Sequence, residues 1–149
     1  MAREFTDVEI TGGRDTGKVF RITEMSAEQG EWYAYRLAGV LIDADKDNSL
    51  ASLQGLVGKA GNLELLAQAG GSAIIQLMMK ADPDRMKPLL DEMKSCWQLK
   101  CKNDFCRKLT ENDIEEIGTL MMLRMKTIEL HLNFFIKKLR KTTPFRAEI

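Results

Sequence analysis

Thr110-Glu111-Asn112-Asp113-Ile114-Glu115-Glu116-Ile117-Gly118-Thr119-Leu120-Met121-Met122-Leu123-Arg124-Met125-Lys126-Thr127-Ile128-Glu129-Leu130-His131-Leu132-Asn133-Phe134-Phe135-Ile136-Lys137-Lys138-Leu139-Arg140 carries the strongest helical pattern in the chain. Thr110 to Asp113 has the residue types of a helix cap, and an acidic first turn suits the positive end of a helix dipole. The pattern predicts a helix over about 111–140. With successive residues about 100° apart, Ile114, Ile117, Met121, Met125, Ile128, Leu132, Phe135, Ile136 and Leu139 form one apolar stripe. Leu123, Leu130 and Phe134, with Leu120 beside them, form a narrower stripe on the opposite side. Two opposed stripes both need cover. Neighbouring helices of the same domain cover the second one, or a partner's apolar segment does. Leu120, Leu123, Leu130 and Phe134 are therefore the candidate partner-binding residues.

Upstream, Glu4 to Ile10 alternates loosely around Phe5, Val8 and Ile10, and Lys18-Val19-Phe20-Arg21-Ile22-Thr23 is rich in β-branched and aromatic residues. The Gly-rich stretch Thr11 to Gly17 between them predicts a hairpin with a long loop. Ser26-Ala27-Glu28-Gln29 has the form of a capping box, so a helix should start at Ala27 and end near Asp43. Gly30, Tyr33, Ala34, Leu37, Ala38 and Leu41 recur on one face of that helix. Leu50 to Val57 and Asn62 to Ala69 read as helical, with Gly58 and Gly61 between them, and Gly70-Gly71 as a break before Ser72 to Lys80. Pro83 and Pro88 sit where helices start, with helix expected over Leu89 to Trp97. Trp97, Leu99 and Cys101 alternate before the turn-like Lys102-Asn103-Asp104, and Phe105 to Leu109 returns as a short strand. The expected fold class is α+β, predominantly α-helical: a small N-terminal β-hairpin, then several helices ending in a long C-terminal one. Residues 1–141 form a single domain in this reading, and 142–149 a loose tail.

The 149 residues are long enough for one buried core, and 44% apolar with 30% charged residues is an ordinary globular composition. Net charge is zero, so no global field recruits nucleic acid. The first 80 residues hold 8 basic and 11 acidic side chains and the last 69 hold 14 and 11. Lys137, Lys138, Arg140 and Lys141 complement the C-terminal end of the last helix. No stretch has the length of a membrane span, and the N-terminus does not resemble a signal peptide, so the expected location is the cytosol.

Several motifs touch on chemistry. Gly12-Gly13-Arg14-Asp15-Thr16-Gly17-Lys18 fits Gly-x4-Gly-Lys, most of a phosphate-binding loop. The next residue is Val19, where a hydroxyl should meet magnesium, and a strand follows where a helix is needed. A hairpin loop is the better reading. Asp43, Asp45 and Asp47 match the first ligand positions of an EF-hand loop, but the twelfth position is Gln54, a poor chelator, which leaves weak calcium binding set against a solvated acidic loop. Cys96, Cys101 and Cys106 are spaced as free thiols, not as a closed zinc site, and the single histidine, His131, lies far off in the long helix. No cofactor or metal is expected, and no enzymatic activity.

Gly17-Lys18-Val19-Phe20-Arg21-Ile22-Thr23-Glu24-Met25, followed by Gln29 and Trp32, is one of two familiar stretches. The other is Asp113-Ile114-Glu115-Glu116-Ile117 with Thr119-Leu120, Leu123-Arg124 and Glu129 to Phe135. Together, in this order, they resemble the tail assembly chaperones of long-tailed bacteriophages. The resemblance covers about a third of the chain, and 43–95 shares only general character. It implies a non-enzymatic helper in the host bacterial cytoplasm, absent from the mature virion. Such a helper keeps the tape measure protein soluble while tail tube protein polymerises around it. The other class that fits is a structural tail protein of the virion, a completion or connector subunit. Nine methionines, grouped as Met78-Met79, Met121-Met122 and Met125, suit either core filling or an adaptable binding surface. A homo-oligomer through the second stripe is a further expectation.

Overall fold

The computed structural model describes residues 3–46 and 63–142, with side chains over 3–46 and 70–133. Strand β1 (Phe5–Glu9) and strand β2 (Val19–Thr23) form the expected antiparallel hairpin, with Val8 opposite Phe20. Helix α1 (Ala27–Ala44) starts where the Ser26 hydroxyl accepts the Gln29 N–H at 3.2 Å. Helix α2 (Leu63–Lys80) and helix α3 (Pro83–Met93) follow. A single 3-10 turn at Lys94–Cys96 then leads into strand β3 (Trp97–Lys100). A turn with positive φ at Asn103 and Asp104 joins β3 to strand β4 (Cys106–Lys108), the expected second hairpin. Helix α4 (Ile117–Thr142) ends the described chain.

The two hairpins are one sheet. Phe20 pairs with Leu99 and Ile22 with Trp97, giving four antiparallel strands in the order β1-β2-β3-β4. Phe20, Ile22 and Trp97 point to one face and are buried. With Met86, Leu89 and Met93 of α3 and Leu123 of α4 they belong to one connected core. The opposite face carries Phe5 under the Arg21 guanidinium at 4.0 Å, and Asp7 between Arg21 and Lys100. The alternation that placed Phe5 with Val8 and Ile10 therefore fails at Phe5, which is half exposed.

Gly70-Gly71 does not break the helix: α2 runs straight through it. A Cβ on Gly70 would sit 3.2 Å from Leu132, and one on Gly71 would sit 3.2 Å from Glu129. The glycine pair lets the α2 and α4 backbones approach closely, which outweighs the propensity cost of about 1 kcal/mol per glycine. Pro83 starts α3 behind an Asp82 cap, as expected. Pro88 instead lies inside α3, and the helix stops at Met93, short of Trp97, which is in a strand. The expected tail 142–149 is corrected at Thr142, which belongs to the last helix; its residues 143–149, the expected segment Leu50 to Val57, Asp47 with Gln54 and the side chains of Lys137 to Lys141 lie outside the described residues.

Helix α4 begins six residues later than its sequence pattern suggests. The Asp113 carboxylate is held by both guanidinium nitrogens of Arg107, at 2.7 and 2.8 Å, and accepts the Thr110 N–H at 2.6 Å. That turn consumes the residues expected to cap the helix. The approach to α4 is secured by Asp15, from the β1–β2 loop. Asp15 is fully buried, and its carboxylate accepts the N–H groups of Glu115 and Glu116 at 3.1 Å. Lys18 Nζ donates to the same carboxylate at 2.9 Å and to the Asp113 carbonyl at 2.9 Å. Glu116 reciprocates by accepting the Arg14 N–H at 3.0 Å. Gly13, at φ +76°, allows this: a Cβ there would collide with the Glu116 carboxylate.

Burial alone would raise the Asp15 pKa, but Lys18, Thr119 and the two N–H groups outweigh it and bring it down to about 2. A depressed carboxylate contributes stability above its ordinary pKa and loses it as pH falls through the folded value. Asp15→Ala should thus cost about 2–4 kcal/mol at neutral pH, because Lys18 and two backbone donors lose their acceptor. In urea unfolding, that difference from the parent protein should shrink between pH 4 and pH 2.

Candidate functional site

The six residues read from sequence as one face of α1 are only partly covered by neighbouring elements. Gly30, Tyr33, Ala34, Leu37, Ala38 and Leu41 instead form one wall of an apolar groove of about 310 Å³. Ile128, His131 and Leu132 of α4 form the opposite wall, with Ile74 of α2 beside them. Met25, Met93 and Thr127 complete the lining. The groove exists because α1 packs on α2 and α3, and α2 packs along α4, leaving α1 and α4 apart. Tyr33 and Leu41 are buried, whereas the small side chains of Ala34 and Ala38 are exposed along its length. From Gly30 to Leu41 the wall runs roughly 16 Å, about three helical turns.

The polar groups in the groove are already engaged. The Tyr33 hydroxyl donates to the Leu89 carbonyl at 2.7 Å. Burial raises the phenol well above its ordinary range, so it stays protonated. Thr127 Oγ1 accepts the Trp97 indole N–H at 2.7 Å and donates to the Leu123 carbonyl at 2.6 Å. His131 Nε2 accepts the Met25 N–H at 3.0 Å, which assigns the hydrogen of the neutral ring to Nδ1, 2.8 Å from the Thr127 carbonyl. With no hydrogen-bonding group to spare among the described lining residues, the groove suits an aliphatic or aromatic occupant.

The residues singled out on α4 differ in burial. Leu123 is fully buried, so it is not a contact residue in this conformation. Leu120 and Leu130 are half-buried and packed against the core. Leu120 also lines a second cavity of about 510 Å³, which it shares with Trp97, Ile114, Lys94, Lys108 and Glu111. The Phe134 side chain is outside the described residues. Leu123 is the covered member of the described part of the narrow stripe, and the same side of α4 carries polar residues that the core accommodates. Thr119, Arg124 and Thr127 are all buried. Arg124 lies over the Trp97 ring at 5.4 Å and donates to the Leu90 carbonyl at 2.8 Å. Ile117, assigned to the main stripe, is 80% exposed at the start of the helix.

The remaining motifs resolve simply. Lys18 of the Gly-Lys loop is aimed at the protein's own Asp15, and Val19 opens β2, which agrees with the hairpin reading. Asp43 is paired with Arg85 at 2.7 Å. Cys96 is buried, with its thiol pushed up to about 11 by desolvation; Cys101 and Cys106 are half-buried and free. Among the described residues no group of three or more His, Cys, Asp or Glu side chains could hold a metal ion, and no helix is long and apolar enough to cross a membrane. No protein-family model, curated protein or solved structure matches the chain.

One feature of α1 escaped the sequence reading. Trp32, Tyr35 and Ile42 are 61%, 64% and 63% exposed. They lie on the side of α1 away from the groove, so α1 has two apolar faces. Their spacing of three and seven residues was a visible signal, hidden by the stronger stripe behind it.

The groove makes two checks available. Thr127→Val keeps the shape but strands the Trp97 indole N–H, and should cost about 1–3 kcal/mol in chemical unfolding, with a shifted Trp97 emission. An environment-sensitive apolar dye should brighten on the parent protein and not on Ala38→Arg, whose unfolding free energy should change by no more than about 0.5 kcal/mol because the site is exposed.

Proposed function

We propose that this protein is a tail assembly chaperone of a long-tailed bacteriophage, holding apolar helical segments of the tape measure protein in the α1–α4 groove. The observation that carries the reading is the groove itself, a three-turn apolar slot with no unpaired polar side chain among its described lining residues. It suits an amphipathic helix presenting anchors at i, i+3 or i+4, and i+7. Met25 and Met93 lend the lining the adaptability that a variable client requires. The two stretches that resemble the chaperone family also meet here. The first ends at Met25 and the second contains His131, and the Met25 N–H to His131 bond joins them.

Magnitudes favour a reversible holder. Two or three leucine-sized anchors would contribute about 2 kcal/mol each, and ordering costs remove much of that. Each site is then weak, and a long client gains avidity from many copies, which fall away as tail tube protein replaces them. The chain would act in the host bacterial cytoplasm and be missing from mature particles. A tail completion or connector subunit would instead persist in them.

Co-expression with the phage's tape measure protein tests this. The parent chain should raise the soluble fraction of the client several-fold. Ala34→Glu and Ala38→Arg, which fill the groove from exposed positions, should lose that effect while keeping the parent's circular dichroism. A client equally insoluble with and without the chain, or the chain found at stoichiometric level in purified virions by mass spectrometry, would rule the reading out.

A further inference from the structure

The outer face of α1 has a symmetry that names its occupant. About Leu37, Trp32 and Ile42 lie five residues either side, Tyr35 and Gly39 two either side, and Glu28 and Lys46 nine either side. At about 100° per residue, Trp32, Tyr35, Gly39 and Ile42 fall within an arc of about 80°. Glu28 continues the same line at the N-terminal end, and Lys46 follows just past the helix end. Trp32, Tyr35, Ile42, Glu28 and Lys46 are all exposed. A Cβ at Gly39 would meet nothing within 4 Å, so the glycine leaves an open notch beside Tyr35.

Two antiparallel helices related by a twofold axis bring together residues equally spaced on either side of one point. Applied to α1, that operation sets each large apolar side chain against a smaller one and Glu28 against Lys46; Asp43, which falls opposite Glu31, is already paired with Arg85. Tyr35 of one copy enters the Gly39 notch of the other, Trp32 covers Ile42, and Glu28 faces Lys46. Each contact occurs twice. We propose that the outer face of α1 is the interface of a homodimer, with the two α1 helices packed antiparallel about Leu37. Leu37 itself points into the groove on the opposite side. The dimer therefore leaves both grooves open, and presents them on opposite sides of the helix pair. Trp and Tyr at the centre with charges at the ends is the usual arrangement of a binding hot spot. Three turns of contact is small, so association should be concentration-dependent and not permanent.

Sedimentation equilibrium of the full chain from about 5 μM to about 500 μM tests this, with the range chosen to bracket micromolar affinity. The parent protein should move from monomer to dimer across the range. Trp32→Glu and Gly39→Gln, both at exposed positions, should raise the dissociation constant at least tenfold while far-UV circular dichroism stays unchanged. Glu28→Lys alone and Lys46→Glu alone should each weaken the dimer, and the double exchange should restore it. The proposal is overturned if the parent stays monomeric throughout, if a dimer forms that Trp32→Glu and Gly39→Gln leave intact, or if the double exchange fails to recover what the single changes lose. None of these outcomes depends on client binding, which uses the other face of α1.

Discussion

The junction of the sheet and the long helix hangs on the fully buried carboxylate of Asp15. Asp15 sits at the junction of the β1–β2 loop, the 113–116 turn and the start of α4, and accepts from Lys18 and from two backbone donors there. Exposed pairs such as Lys87–Asp91 and Arg85–Asp43 each contribute about 0–1 kcal/mol, and their loss would be barely felt. A fully buried anion is different, since either it or its partners must be desolvated without compensation if one is removed. The sheet and the long helix are joined through this site as well as through the apolar core. A loop that superficially resembles a phosphate cradle thus supplies its own anion.

Much of this architecture could be read from residue order. Both hairpins, the Ser26 cap and the apolar stripe of α1 follow from local signals, and all three are present. The failures have a common physical origin. Local pattern does not locate the start of α4, because its securing residue lies about a hundred positions upstream, beyond any local window. Gly70-Gly71 looked like a break because glycine's propensity is a local property, whereas the close approach of Leu132 and Glu129 is not. The deeper side of α4 was underestimated because Thr119, Arg124 and Thr127 count as polar in any periodicity, yet each finds its partner inside.

The same limit explains the candidate site. The stripe from Gly30 to Leu41 was identified correctly as apolar, but sequence gives no sign that the facing helix stands back from it and leaves a groove. Assigning partner contact to Leu123 followed from counting stripes on one helix. Among the described residues α1 has an apolar face to spare, with exposed Trp32 and Tyr35 behind its groove wall. An exposed tryptophan is a costlier thing for a protein to carry than a second leucine stripe, and is the better pointer to a contact surface.

Arg124 has a consequence of its own. Its guanidinium is buried over Trp97, with a carbonyl and the Met93 sulfur as hydrogen-bond acceptors and no carboxylate among the described ion pairs. Such a charge adds little net stability, and burial lowers its pKa. Its effect is on alternatives. If α4 slid by one turn, or rotated by one residue, the guanidinium would leave both the indole and the Leu90 carbonyl. An all-leucine helix could creep along α2 at small cost, because one apolar contact replaces another. Arg124 keeps these contacts in one alignment only, which favours a groove wall of fixed phase, against which any occupant must find its own register.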